Sequence, residues 1–226
     1  MKIAICDDIN NFCNYYKELL SKVEGITVVG TANNGDECID IVKNQMPDIL
    51  LLDVQMRTDN EGIEIIKDLL EIKPDLKIIM ITAHKIENYI FRAFALGAKD
   101  FIYKTASDEE IITKVMNVYN DKVTLNSEIS DVLIKNITKL VNDQKSMLYT
   151  LNQLTKLSKS EVSVLRGIYY GKKYKEIAKD RFVEEGTIRA QVSAIVRKME
   201  AANIDSLIKD MKALNVFEFI DLNNDY

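Results

Sequence analysis

Five polar residues stand out because each closes a run that is otherwise mainly apolar. Asp7 and Asp8 follow "KIAIC", Asp53 follows "DILLL", Thr82 follows "KIIMI" and Lys104 follows "DFIY". An unpaired charge is costly to bury, so a carboxylate at the end of the chain's most hydrophobic run needs a chemical reason. Three carboxylates gathered together repel one another and favour a hard divalent cation; Mg²⁺ suits them, because it keeps several waters and needs few protein ligands. A carboxylate facing such a metal can attack a phosphoryl group and form an acyl phosphate. A lysine and a hydroxyl then hold the phosphoryl oxygens that the metal leaves. Asp53 is the expected nucleophile. Each residue alone also has a plain explanation: Asp8 as a helix cap, Thr82 beside the next helix start, Lys104 on the surface. Their shared position at strand ends argues against five coincidences.

Those ends meet only if the elements form one sheet. In the first half, short β-branched runs alternate with helical patterns: 2–6, 26–32, 48–53, 76–82 and 100–103 each precede an amphipathic stretch. Pro47 and Pro74 both fall just before strands, where a helix must stop. Five strand–helix units imply an α/β doubly wound parallel sheet covered on both faces. Ligands in such sheets sit outside the carboxyl ends of the strands. Residues 127–154 carry apolar positions at helical spacing (Ile129, Leu133, Ile137, Leu140, Val141) without glycine or proline, so a helical connector is expected there. Only helical patterns follow, and the tail "NVFEFIDLNNDY" is left unassigned.

Composition narrows the classes. The 226 residues suit two domains, and no apolar run approaches the length of a membrane span. The N-terminus does not read as a signal peptide. Three cysteines (Cys6, Cys13, Cys38) without a CxxC pair argue against a disulfide framework and for a reducing cytoplasm. A single histidine, His84, excludes multi-histidine metal sites. Net charge is −7 over residues 1–125, 0 over 126–150, +5 over 151–213 and −3 over 214–226. An acidic front and a basic back fit a cation or phosphoryl site followed by a nucleic-acid module, although ordinary solvated charge fits too.

With "CDD" at 6–8, "LLLD" ending at Asp53, "MITA" around Thr82 and "GAKDFIYK" ending at Lys104, residues 1–122 resemble the response regulator receiver domain of two-component signalling, with its flavodoxin-like fold. The resemblance implies that Asp53 accepts phosphate from a sensor histidine kinase. It also implies that Asp8 and Asp53 bind Mg²⁺ directly, that Asp7 supports it, and that the main-chain carbonyl of Gln55 completes the protein ligands. Lys104 would pair with phosphoryl oxygens. Thr82 would swing toward them and Phe101, at the switch position, would turn inward; plain core packing is the rival reading of Phe101. Three positions depart from the family pattern. Arg57 stands where proline is usual, the loop "MRTDNEG" is one residue longer, and Thr105 replaces the commoner proline. Gln55 and His84 occupy positions that tune phosphate loss in this family.

Residues 157–199 carry a helix-turn-helix pattern, with "YKEIAKDRF", the turn "VEEGT" and "TIRAQVSAIVRKM". Ile188, Val192, Ile195 and Met199 recur as one buried stripe of the second helix. Its opposite side presents Ala190, Ser193, Ala194 and Arg197, flanked by Arg189 and Gln191. Thr187 sits at the helix start, and Lys198 and Lys172–Lys173 are placed to meet phosphates. This is similar to the NarL/LuxR-type DNA-binding domain at Leu157, Glu161, Val164, Leu165, Gly171, Glu176–Ala178, Glu185–Ile188, Val192, Ile195 and Lys198–Met199. The resemblance implies contact with double-stranded DNA through Thr187, Arg189, Ala190, Gln191, Ser193, Arg197 and Lys198, and a dimerisation helix at about 204–213. Arg181 stands where the family buries leucine, and Glu184 where it caps with serine.

The expected organisation is therefore a receiver domain (1–122), a helical linker (123–154) and a small all-α helix-turn-helix domain with its tail (155–226). The expected activity is phosphorylation-controlled transcription regulation in the cytoplasm by a homodimer, with no membrane contact. Phosphorylation would bias the face formed by residues 87–96, 100–103 and 108–119. An atypical regulator working through protein contacts without phosphate is one alternative. A phosphatase of the haloacid dehalogenase type shares the chemistry, but "CDDIN" lacks its DxDx[TV] signature.

Overall fold

The computed structural model describes residues 1–122 and 125–223. The expected linker start at 123 and the last residues of the tail fall outside them. The chain divides into two compact units, one of Met1–Asn136 and one beginning at Ile137.

The first unit alternates strand and helix. Its order is β1 (Lys2–Cys6), α1 (Asn10–Ser21), β2 (Thr27–Ala32), α2 (Gly35–Gln45), β3 (Ile49–Asp53), α3 (Glu61–Glu64), α4 (Ile66–Ile72), β4 (Lys77–Thr82), α5 (Glu87–Leu96), β5 (Asp100–Tyr103) and α6 (Asp108–Tyr119). The strands form one parallel sheet in the order β2-β1-β3-β4-β5. Alternate side chains feed two cores. Ala4, Leu50, Leu52, Ile78, Met80 and Phe101 face α2 to α5, whereas Ile3, Ile5, Leu51, Ile79, Ile81 and Ile102 face α1 and α6. This explains the unbroken apolar run of β3: with helices on both sides, neither face can be polar. Each fully buried aliphatic side chain contributes on the order of 1.5–3 kcal/mol. At α5's end Gly97 adopts φ +114°, a left-handed cap that side chains resist.

The amphipathic stretch that follows β3, residues 62–72, is two pieces, α3 and α4, broken at Ile65. Gly62 sets the start of this segment. A Cβ there would lie 1.8 Å from the carbonyl oxygen of Asp53, so only glycine lets the loop fold back on the end of β3.

Helix α7 runs from Ser127 to Leu154, as the missing glycine and proline foretold. The division between units falls within it. Ile129 and Val132 join the core that holds Phe101. Lys85 pairs with Glu128 at 2.9 Å and Lys135 with Glu87 at 2.6 Å, tying the start of α7 beside α5. Of the apolar positions at helical spacing, Ile137, Leu140 and Val141 are exposed.

The second unit is all helical: the rest of α7, α8 (Lys159–Tyr169), α9 (Tyr174–Asp180), α10 (Glu185–Lys198), α11 (Ile204–Ala213) and α12 (Val216–Asn223). Ile188, Val192, Ile195 and Met199 form its buried stripe, as their spacing required. Ser158 and Glu161 make a reciprocal capping box at the start of α8. The unassigned tail becomes α12, which buries Val216 and Phe217 completely. Arg181 replaces a buried leucine without leaving its charge unmet, because its guanidinium donates to the Ser160 carbonyl at 2.8 Å and hydroxyl at 2.6 Å.

Candidate functional site

The crevice lies at the carboxyl ends of β1, β3, β4 and β5, where the order of strands reverses between β1 and β3. Ligand oxygens of Asp7, Asp8 and Asp53 all lie within 4.8 Å of one another. Asp7 and Asp53 are buried and Asp8 is exposed, so the group opens to solvent on one side. Lys104 Nζ lies 2.7 Å from Asp7 Oδ2 and 2.8 Å from Asp53 Oδ2, with its side chain 7% exposed. It also sits 4.4 Å from the centre of the Phe12 ring, whose face attracts cations.

The electrostatics follow from crowding. Burial pushes the Asp53 carboxyl up to about 6 despite its hydrogen bond from Lys104, and neighbouring Asp7 adds to the rise. Burial raises Asp7 too. For Lys104, burial works toward a lower value, but Asp53 and Asp7 outweigh it and hold the ammonium above its ordinary range. A lone ammonium thus balances only part of three acids. Asp7 Oδ2 is buried and makes no hydrogen bond of good geometry. A buried carboxylate oxygen whose ion-pair partner, the Lys104 ammonium, is shared with Asp53, and which stands beside two more acids, fits a hard divalent cation, and the all-oxygen donor set fits Mg²⁺.

Around this centre, Thr82 is buried and its Oγ1 accepts from the backbone N–H of His84 at 3.1 Å; the His84 side chain is exposed. Gln55 is half-buried, and its backbone N–H donates to the Asp53 carboxylate. Phe101 is buried, edge-on to Tyr103 at 6.2 Å. The three cysteines are free and buried; burial pushes Cys13 up to about 11, and a hydrogen bond with Cys38 followed by burial raises Cys6, so Cys6 and Cys13 are inert packing groups.

In the second unit, Thr187, Arg189, Ala190, Ser193 and Arg197 lie exposed along α10. Two residues expected beside them are engaged elsewhere. Gln191 is half-buried and donates to Ser160 Oγ at 3.0 Å, and Lys198 donates to both Glu161 carboxylate oxygens at 2.8 Å. Lys172 pairs with Asp180 at 2.8 Å. Arg189 pairs with Glu185 one turn earlier and lies 5.5 Å from the centre of the Tyr174 ring. The Glu185 charge at the start of α10 is thereby partly offset. Glu184 begins α10 without a side-chain cap.

The family model for the response regulator receiver domain matches residues 3–116, and that for bacterial regulatory proteins of the luxR family matches 155–210. The chain belongs to the LuxR-type response regulators. It is 30% identical to the oxygen regulatory protein NreC of Staphylococcus carnosus over 209 residues, covering 92% of this chain and 95% of NreC. It is 32% identical to the transcriptional regulatory protein LnrK of Bacillus subtilis over 201 residues, covering 88% and 90%. Its fold resembles that of the response regulator RcsB of Salmonella typhimurium, with a TM-score of 0.55 at 20% identity over 94% of this chain and 98% of RcsB. Among the described residues of this response regulator, no helix is long and apolar enough to cross a membrane.

Sequence reasoning overlooked several neighbours of the response regulator's acidic crevice. Phe12 stands one helical turn beyond Asp8, a spacing that offered a signal. Away from the crevice, at the first residue of β5, the buried Lys114–Asp100 pair at 2.8 Å offered none, since fourteen residues and a loop separate its members. Nor did the contacts of Arg57, which appear only once the loop after β3 is folded.

Proposed function

We propose that this response regulator accepts a phosphoryl group on Asp53 from a sensor histidine kinase and regulates transcription in the cytoplasm through DNA contacts of its C-terminal domain, as a homodimer. The carrying observation is the meeting of Asp7, Asp8 and Asp53 within 4.8 Å around the ammonium of Lys104. A carboxylate oxygen of Asp53 would attack the phosphorus of a phosphohistidine; the P–O bond forms as the P–N bond breaks, and imidazole leaves. Mg²⁺ held by Asp8, Asp53 and the Gln55 carbonyl, with Asp7 in support, would neutralise phosphoryl oxygens. Lys104 is already within ion-pair reach of the acceptor and can transfer its attention to a phosphoryl oxygen without moving far. Thr82 can release its bond from His84 to meet another. Phe101 shares a core with Ile129 and Val132 of α7, so its repacking would reach the linker. The functional division is 1–122 receiver, 123–154 linker and 155–226 DNA-binding domain with its tail.

The test is mass measurement of the full chain after incubation with acetyl phosphate, with and without Mg²⁺. One phosphoryl adduct that needs Mg²⁺ supports the reading; no adduct overturns it. The pH dependence has a set sign. Protonated Asp53 can neither attack nor hold a cation, so at sub-saturating Mg²⁺ adduct formation should fall as pH drops through about 6 and level off above it, and saturating Mg²⁺, which favours the ionised carboxylate, should move the fall to lower pH. A pH series of initial rates checks this.

For DNA, the exposed face of Thr187, Arg189, Ala190, Ser193 and Arg197 is the proposed contact surface, with Gln191 and Lys198 bracing it from behind. Arg189→Ala should weaken binding about tenfold, the order for one lost arginine contact. Glu185→Gln, which frees Arg189 and removes a charge, should tighten it. Anisotropy titrations with fragments selected from genomic DNA distinguish the two signs.

A further inference from the structure

Arg57 stands where the family resemblance expects proline, and its contacts point to a role. Its backbone N–H donates to Glu61 Oε2 at 2.8 Å and its Nε to Glu61 Oε1 at 2.8 Å. Its other fork reaches Asp36 Oδ2, also at 2.8 Å, in the first turn of α2. Glu61 is buried, and its Oε1 accepts as well from the backbone N–H of Gly35 at 2.9 Å. A Cβ at Gly35 would lie 2.9 Å from that oxygen, so the approach is close. One carboxylate therefore joins the loop after β3 to the start of α2.

The tie extends to both acid-bearing strand ends. Next to Glu61, Gly62 donates to the Val54 carbonyl at 3.1 Å and rests on the backbone of Asp53. Just before Gly35, Asn33 Nδ2 donates to the Asp7 carbonyl at 3.0 Å. From Asp53 through Gly62, Glu61, Gly35 and Asn33 to Asp7, the two sides of the crevice are linked by short contacts. Arg57 closes that link from outside. The loop it spans also carries Gln55.

We infer that Arg57 is a positioning residue: its ionic clip with Glu61 and Asp36 fixes the spacing of the acids around the divalent cation, doing electrostatically what a proline does by restricting the backbone. This rests on the reading of the crevice as a Mg²⁺ site. The Arg57 side chain is 55% exposed and Asp36 is 79% exposed, so unlike a proline the clip is open to screening. Salt then becomes a modulator of cation affinity at this loop.

Titration calorimetry of the full chain with Mg²⁺ tests this. At low salt Arg57→Ala should bind Mg²⁺ about tenfold more weakly than wild type, the order for a lost charge-assisted hydrogen-bond set. The gap should close as salt rises toward about 1 M, where screening acts over roughly 3 Å. Asp36→Asn, on the outer surface, removes half of the clip and should give a smaller gap with the same salt response, which guards against a folding defect in the first variant. Arg57→Lys, which keeps charge but not the fork, should recover part of the loss. Equal affinity of wild type and Arg57→Ala at low salt overturns the inference, as does a gap that salt leaves unchanged. Failure of wild type to bind Mg²⁺ at all would instead remove the underlying reading of the crevice.

Discussion

Asp53→Asn is expected to abolish phosphoryl uptake entirely and, in the same protein, to make the Mg²⁺-free fold more stable. The first effect follows because an amide cannot supply the nucleophilic oxygen. The second follows from the crowding of acids. The folded-state value of Asp53 is about 6 against an ordinary 3.8. A group raised in this way contributes its stability fully below the unfolded value, and that contribution is lost as pH climbs through the folded value. At neutral pH the ionised carboxylate therefore costs the fold up to about 3 kcal/mol, taking 1.36 kcal/mol for each unit of displacement. The asparagine variant escapes that cost while Lys104 keeps Asp7 as a partner. Denaturant unfolding in EDTA should show the variant more stable by about 1–3 kcal/mol above pH 6, with the difference vanishing near pH 4. Added Mg²⁺ should narrow the difference by stabilising wild type more. A variant less stable than wild type at pH 7 would mean that attraction to Lys104 outweighs desolvation and repulsion.

The second large effect concerns the end of the chain. Phe217→Ala should destabilise the C-terminal unit by about 3–5 kcal/mol, the range for emptying a fully buried aromatic site. Phe217 has no exposed surface; its ring meets Tyr169 edge-on at 5.1 Å and lies 5.0 Å from the Arg166 guanidinium. Around it, Tyr169 donates to Glu218 and Arg166 pairs with Asp221 at 2.7 Å, so α12 is held by charge as well as by packing. The matched luxR-family region ends at 210, before α12 begins. Urea unfolding followed by far-UV circular dichroism, beside a DNA titration, would show the loss. Truncation before Val216 should do at least as much harm. Wild-type stability in Phe217→Ala would mean that α12 is an ornament of the core.

The pattern of residues settled the architecture of the first unit, because strand and helix leave different periods in hydrophobicity and a doubly covered sheet leaves unbroken apolar runs. Ile49–Leu52 and Ile78–Ile81 announce strands buried on both faces, and the polar residue closing each run announces the crevice. The recognition helix was legible for the same reason: Ile188, Val192, Ile195 and Met199 can share a face only on a helix. The break of 62–72 into α3 and α4 was not, since it depends on Gly62 folding against the Asp53 carbonyl.

Tertiary structure alone decided which charged side chains remain available. Lys198 and Gln191 lie on α10 at spacings that suit DNA contact, yet Glu161 and Ser160, more than thirty residues away in α8, engage them. Arg57 looked like a departure from a pattern until Asp36 and Glu61 came within reach. Helical and strand periods are local, and a sequence displays them directly. Ion pairs between distant elements depend on how those elements pack, and that is fixed only when the cores close.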